Sequence, residues 1–195
     1  MIQLPEKWAE QRLRKDSSRV IRNPRVKSMA QAERVGILFG VKNHEDANLL
    51  FEFVTYLKKD LGVFSVEPLI YVDQKELPDF LETYKSKTIL KKDLDIWGVP
   101  KHEIVKWFLE KKVDILFDLN IASVFPLRYI LAVSTAGLKV GLHTPKNEEF
   151  LDLMIQMEPS SNLWEQIRQM IHYVNQIGQG NGKSKWSRSG SRHTV

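Results

Sequence analysis

The apolar positions of this chain fall into two alternating kinds of run. Arg34-Val35-Gly36-Ile37-Leu38-Phe39-Gly40-Val41 is continuous, without a polar residue at every second place. That is the pattern of a strand buried on both faces. Behind it, Ala47, Leu50, Phe51, Val54, Leu57 and Leu61 recur at three- and four-residue spacing. They predict a helix that Asn43 can cap and Gly62 stops. Phe64 to Val72 reads as a second strand, and Leu77 to Leu81 as one helical turn. Thr88-Ile89-Leu90 reads as a short edge strand, and Lys91 to Pro100 as an ordered loop. A helix over 101–111 would bury Ile104, Val105, Phe108 and Leu109, and Val113 to Leu119 is the next strand. Pro126 opens a helix predicted to run to Ala136, with Gly137 as its stop. Leu138 to Leu142 and Leu151 to Met157 are the last strands. Asn162 and Glu165 form a capping-box pair ahead of a helix that buries Leu163, Trp164, Ile167, Met170, Ile171, Val174 and Ile177.

Strands that alternate with helices imply βαβ crossovers and a sheet covered on both faces. The expected fold is an α/β, three-layer Rossmann-like domain over residues 33–177, with a mostly parallel sheet. A basic helical arm, residues 1–32, precedes it; its helix spans 4–16 and opens at Pro5, and Asn23-Pro24 interrupts the chain before a short turn ending at Ala32. Residues 178–195, rich in Gly, Ser, Lys and Arg, carry no core-forming pattern and are expected to be a disordered tail.

Composition narrows the function classes. At 43% hydrophobic over 195 residues, the chain can bury a real core. The absence of cysteine excludes disulfides, thiolate metal sites and cysteine catalysis. The first residues hold no apolar signal-peptide core, and no stretch reaches the roughly 20 apolar residues of a membrane span. A cytoplasmic protein without an integral span is the expectation.

Charge adds a direction. The net charge is +5, but residues 1–34 hold nine basic residues against four acidic, and residues 178–195 hold four basic and no acidic ones. Residues 35–177 carry sixteen basic and twenty acidic residues, a net of −4. Any grip on a polyanion therefore belongs to the ends. The candidate contacts are Arg12, Arg14, Lys15, Arg19, Arg22, Arg25 and Lys27, with Lys183, Lys185, Arg188 and Arg192 secondary. Trp8 and Trp186 stand among these cations and suit stacking. Trp8 with Leu4 can equally dock the first helix on the domain.

In an open parallel sheet, ligands bind beyond the carboxyl ends of the strands. Asn43, His44, Asp118, Asn120 and His143 fall there, with Lys42, Asp73, Thr144 and Lys146 beside them. His44 or His143 has the chemistry of a general base, and Asp118 that of its orienting partner. Asn43 has a competing role as a helix cap. No phosphate-cradling G-x-G-x-x-G or G-x-x-x-x-G-K-[ST] follows the first strand. Histidines 44, 102, 143, 172 and 193 form no metal-ligand pair, so no metal or cofactor is expected. No G-x-S-x-G elbow is present, and Ser134 reads as mid-helix.

The run Val113-Asp114-Ile115-Leu116-Phe117-Asp118-Leu119-Asn120, the helix Pro126-Leu127-Arg128-Tyr129-Ile130-Leu131-Ala132 and the strand Gly137-Leu138-Lys139-Val140-Gly141 resemble an uncharacterised Bacteroidetes family of small α/β proteins of similar length. That resemblance covers most of the chain and implies a basic N-terminal helix before a small α/β domain, with no known activity. The same run is similar to the N-terminal half of heptosyltransferase-type glycosyltransferases over about 30 residues. Those enzymes use two Rossmann-like domains, so this likeness implies a fold rather than an activity. The leading expectation is a non-catalytic protein whose basic ends contact RNA, the ribosome or another acidic partner such as an acidic protein. The alternatives are a small enzyme or nucleotide- or sugar-binding domain using the crevice, and a peripheral membrane-associated protein.

Overall fold

The computed structural model describes residues 4–84, 86–156 and 162–180. Strands β1 (Arg34–Gly40), β2 (Ser65–Tyr71), β3 (Lys87–Ile89), β4 (Ile115–Asp118), β5 (Leu138–Leu142) and β6 (Leu153–Ile155) form one sheet. Its order is β3-β2-β1-β4-β5-β6, and every pair is parallel. The helices are α1 (Leu4–Ser17), α2 (His44–Lys59), α3 (Asp79–Glu82), α4 (His102–Leu109), α5 (Phe125–Val133) and α6 (Leu163–Gly180). This is the doubly wound Rossmann order, in which the direction of winding reverses between β1 and β4.

The continuous apolar runs serve two cores. Val35, Ile37 and Phe39 pack toward α2 and α6, together with Phe53, Leu57, Ile167 and Met170. Leu38, Leu69 and Leu116 point the other way, onto Ile104 and Phe108 of α4 and Leu127 and Ile130 of α5. Gly36 permits that second contact, because a Cβ there would lie 2.9 Å from the Leu116 side chain and 3.1 Å from Phe108. A third cluster adds an outer layer. Leu13 of α1 is buried against Val99 and against Tyr129, Ala132 and Val133 of α5. Helix α5 is thereby covered on both sides, and every residue from Pro126 to Val133 is buried.

Two helix ends differ from expectation. Helix α5 stops at Val133 rather than Ala136, so Ser134 is not mid-helix but its C-cap, in extended conformation. The Ser134 hydroxyl accepts from the Ala136 amide at 3.2 Å, a local bond that competes with continuing the helix. Helix α6 runs past Gly178 to Gly180. Gly178 is instead a close-packing point, since a Cβ there would lie 2.3 Å from the Ser28 amide nitrogen. The predicted tail from residue 181 lies outside the described residues.

Between α1 and β1 the chain crosses the amino-terminal edge of the sheet as a strap. The Arg25 amide donates to the Gly137 carbonyl at 2.9 Å. The Met29 amide donates to the Asn175 side chain of α6 at 2.9 Å. Among the described residues no helix is long and apolar enough to cross a membrane.

Candidate functional site

The carboxyl ends of β1 and β4 are neighbours, so the sequence-predicted Asp118 and Asn120 lie at the switch point. Asn120 ties the two strand ends together. Its side-chain oxygen accepts from the Gly40 amide at 2.8 Å, and its side-chain nitrogen donates to the Leu38 carbonyl at 3.2 Å. The same nitrogen donates to Asp118. Asp118 also accepts from the side-chain nitrogen of Asn147 at 2.6 Å. All three residues are buried. Burial pushes the Asp118 carboxyl up to about 6, against the opposing pull of the Asn120 donors.

The other predicted crevice residues do not join this cluster. Asn43 caps α2, accepting from the Asp46 amide at 2.9 Å. His44 is exposed, with Nδ1 3.0 Å from the Asn48 side chain. His143 is exposed, and its amide donates to the Ile155 carbonyl. Among the described residues no hydrogen bond links Asp118 to either histidine, so the geometry assembles no base and orienting acid. Beside the switch point lies a cavity of about 440 Å³, bounded by Gly40, Lys42, Tyr71, Asp73, Ser123 and Phe125. None of the five predicted crevice residues lines it; Asn120 reaches it only through Gly40. In its wall the Tyr71 hydroxyl donates to Asp73 at 2.8 Å, and Lys91 lies 3.2 Å from the same carboxylate.

The basic arm docks on the domain through α1. Helix α1 buries Ala9 and Leu13, four apart on one face. Its three acids each engage the domain. Glu6 accepts from Lys146 at 2.8 Å, Glu10 pairs with Arg128, and Asp16 accepts from the Tyr129 hydroxyl at 2.7 Å. Burial raises the Asp16 carboxyl, but Tyr129 and Arg12 more than offset this and hold it below its usual range. Lys7, Gln11, Arg14 and Lys15 lie on the opposite side and are exposed. Among the described residues Lys7, Arg14 and Lys15 take part in no ion pair.

The seven predicted polyanion contacts therefore divide. Arg14, Lys15, Arg19 and Arg25 face solvent, with Arg19 only loosely placed 3.9 Å from Asp16. Arg12 is held along the helix by Asp16 at 2.7 Å. Arg22 is structural: it donates to the Ala136 carbonyl at 2.6 Å, to the Gly137 carbonyl at 3.0 Å and to both oxygens of Asp152. Lys27 is structural as well, bonded at 2.6 Å to Asp114, which also accepts from the Glu33 and Arg34 amides. These bonds fasten the strap to the sheet edge and engage both cations.

Arg128, which holds Glu10 of α1, and Asn147, which holds Asp118, were missed, and Lys146 was expected beside the crevice but pairs with Glu6 of α1. Arg128 carried a signal: a single arginine in the otherwise apolar helix Phe125–Val133, which has no polar face to expose it. Asn147 carried none, because its partner Asp118 is 29 residues away.

Comparison with known proteins gives a family and a distant structural likeness. A family of unknown function, DUF6913, matches residues 6–177, and the chain belongs to it. No curated protein matches the sequence. Among solved structures, an exopolyphosphatase-related protein from Bacteroides fragilis is similar at 15% identity with a TM-score of 0.47. The match covers 86% of this chain and 44% of that one, so the chain spans under half of that protein's length.

Proposed function

We propose that this DUF6913 protein is a non-catalytic RNA-binding protein that holds the phosphate backbone on the solvent face of α1. The observation that supports it is the sorting of charge by docking. The acids Glu6 and Glu10 pair with Lys146 and Arg128 of the domain and Asp16 with Arg12 of its own helix, while among the described residues Lys7, Arg14 and Lys15 project outward with no ion pair. A helix whose sequence mixes both signs thus has its acids paired and three of its cations in no ion pair among the described residues, with Glu6 exposed beside Lys146. Arg14 and Arg19 suit bidentate contact with phosphate oxygens, and the lysines act as point charges. Helix α1 has its apolar face occupied by α5, which leaves little for a lipid surface to take up.

The test is the salt dependence of oligoribonucleotide binding by the full chain. Four contacts, from Lys7, Arg14, Lys15 and Arg19, give a log–log slope of roughly −3 on single strands. The double variant Arg14→Ala/Lys15→Ala should weaken binding on every sequence and flatten the slope by about 1.4. Binding that is indifferent to salt, or a slope that the double variant leaves untouched, rules the reading out.

One observation favours a second reading, a small-ligand site. The 440 Å³ cavity opens where the winding of the sheet reverses and combines an apolar wall with Lys42 and Asp73. A nucleotide or nucleotide sugar that binds there at a hundredfold excess over Kd should stabilise the fold by about 2.7 kcal/mol. A thermal-shift screen of those compounds without any such gain would remove it.

A further inference from the structure

We infer that the RNA on this surface is single-stranded, and that one of its bases turns into the groove between α1 and the 145–149 loop, against Trp8. The inference rests on the RNA reading of α1 and gives it a substrate class. The groove encloses about 890 Å³ and is bounded by Trp8, Gln11 and Arg14 on one side and by Arg128, Lys146 and Glu149 on the other. It is large enough for a ring system and lies directly under the cationic stripe, since Lys7, Gln11 and Arg14 belong to both. A strand that follows the stripe with its phosphates has the groove within reach of its bases.

Three features fit a base better than a phosphate inside. Trp8 is 54% exposed although its ring packs against Trp97 with centroids 6.0 Å apart, so about half of the residue stays open for stacking. Arg128 is 4% exposed, and its Nη1 and Nη2 are engaged by the Lys146 carbonyl and by Glu10. Its Nε–H is buried with no partner among the described residues, so the guanidinium offers no open fork to a phosphate. The two groove cations on the domain side are already neutralised by Glu6 and Glu10, and Glu149 is exposed on the far wall, in no ion pair among the described residues. The interior is thus close to neutral while the rim is positive. A duplex keeps its bases stacked and paired, so it can use the rim but not the groove.

Fluorescence anisotropy of the full chain with a labelled oligouridylate and with a duplex RNA of equal length tests this. Trp8→Ala should weaken the single strand about tenfold, leave its salt slope unchanged and leave duplex binding unchanged. Trp8→Phe should restore most of the loss, which separates stacking from misfolding. Arg14→Ala/Lys15→Ala should weaken both RNAs and flatten both slopes. Salt-dependent binding of equal strength to both RNAs, with Trp8→Ala affecting neither or both alike, overturns the base pocket and leaves the cationic stripe standing. Absence of salt-dependent binding to either RNA overturns the RNA reading itself.

Discussion

Docking of α1 is the physical premise of the functional reading, and Leu13→Ala tests it directly. Leu13 is fully buried, enclosed by Val99, Tyr129, Ala132 and Val133. Truncation removes its apolar contacts and leaves a cavity, which for buried leucines costs about 2–5 kcal/mol. The middle of that range is apt, because the site lies between an outer helix and the domain, where partial collapse is easier than beneath the sheet. For a chain of this size about 3 kcal/mol corresponds to a fall in Tm of roughly 6–12 °C. The helix cannot escape the cost by simply peeling away. Release would strip Arg128 of Glu10 and Tyr129 of Asp16, leaving a buried cation without its counter-charge. Urea unfolding followed by tryptophan fluorescence measures the loss, and RNA anisotropy on the same variant measures its consequence. Glu6 and Glu10, parted from Lys146 and Arg128, would offset the cations of α1, so affinity should fall although no cation has been removed. A stability loss below about 0.5 kcal/mol would show that Leu13 does not hold α1 in place, and the charge-sorting argument would lose its basis.

Two further outcomes follow from Asp118 and Gly137. Burial keeps Asp118 protonated up to about pH 6 in the fold, whereas the unfolded carboxyl releases its proton near 3.8. The folded state therefore loses up to about 3 kcal/mol as pH rises from about 4 to 6; Asp118→Asn should remove that fall in urea melts across this range, and a parallel pH profile for wild type and variant would contradict it. At Gly137 an added Cβ would lie 2.8 Å from the Asp114 carbonyl oxygen and 2.9 Å from that of Arg25, both backbone atoms. Gly137→Ala should cost about 1–3 kcal/mol by urea unfolding and loosen the strap in hydrogen exchange, and a neutral substitution would show that the strap does not need this approach.

The strands were legible because parallel strands buried on both faces cannot alternate, and runs such as Arg34–Gly40 and Leu138–Leu142 have no polar face to hide. Helix ends were less so, since Ser134 and Gly178 are governed by bonds and contacts that periodicity does not see. Asp118 and Asn120 were placed at strand ends correctly, yet their joint role depends on β1 and β4 being neighbours and on Asn147, a long-range fact. The clearest limit concerns charge. Arg22 and Lys27 look like Arg14 and Lys15 in any count of basic residues. Their partners Asp152 and Asp114 are 130 and 87 residues away, and only the folded chain shows that they fasten the strap. The sequence did contain one usable distinction. Ala9 and Leu13 mark the buried face of α1, so Lys7, Arg14 and Lys15 fall away from it on the helical wheel. Net charge names a class of partner; helical phase decides which cations remain free to meet it.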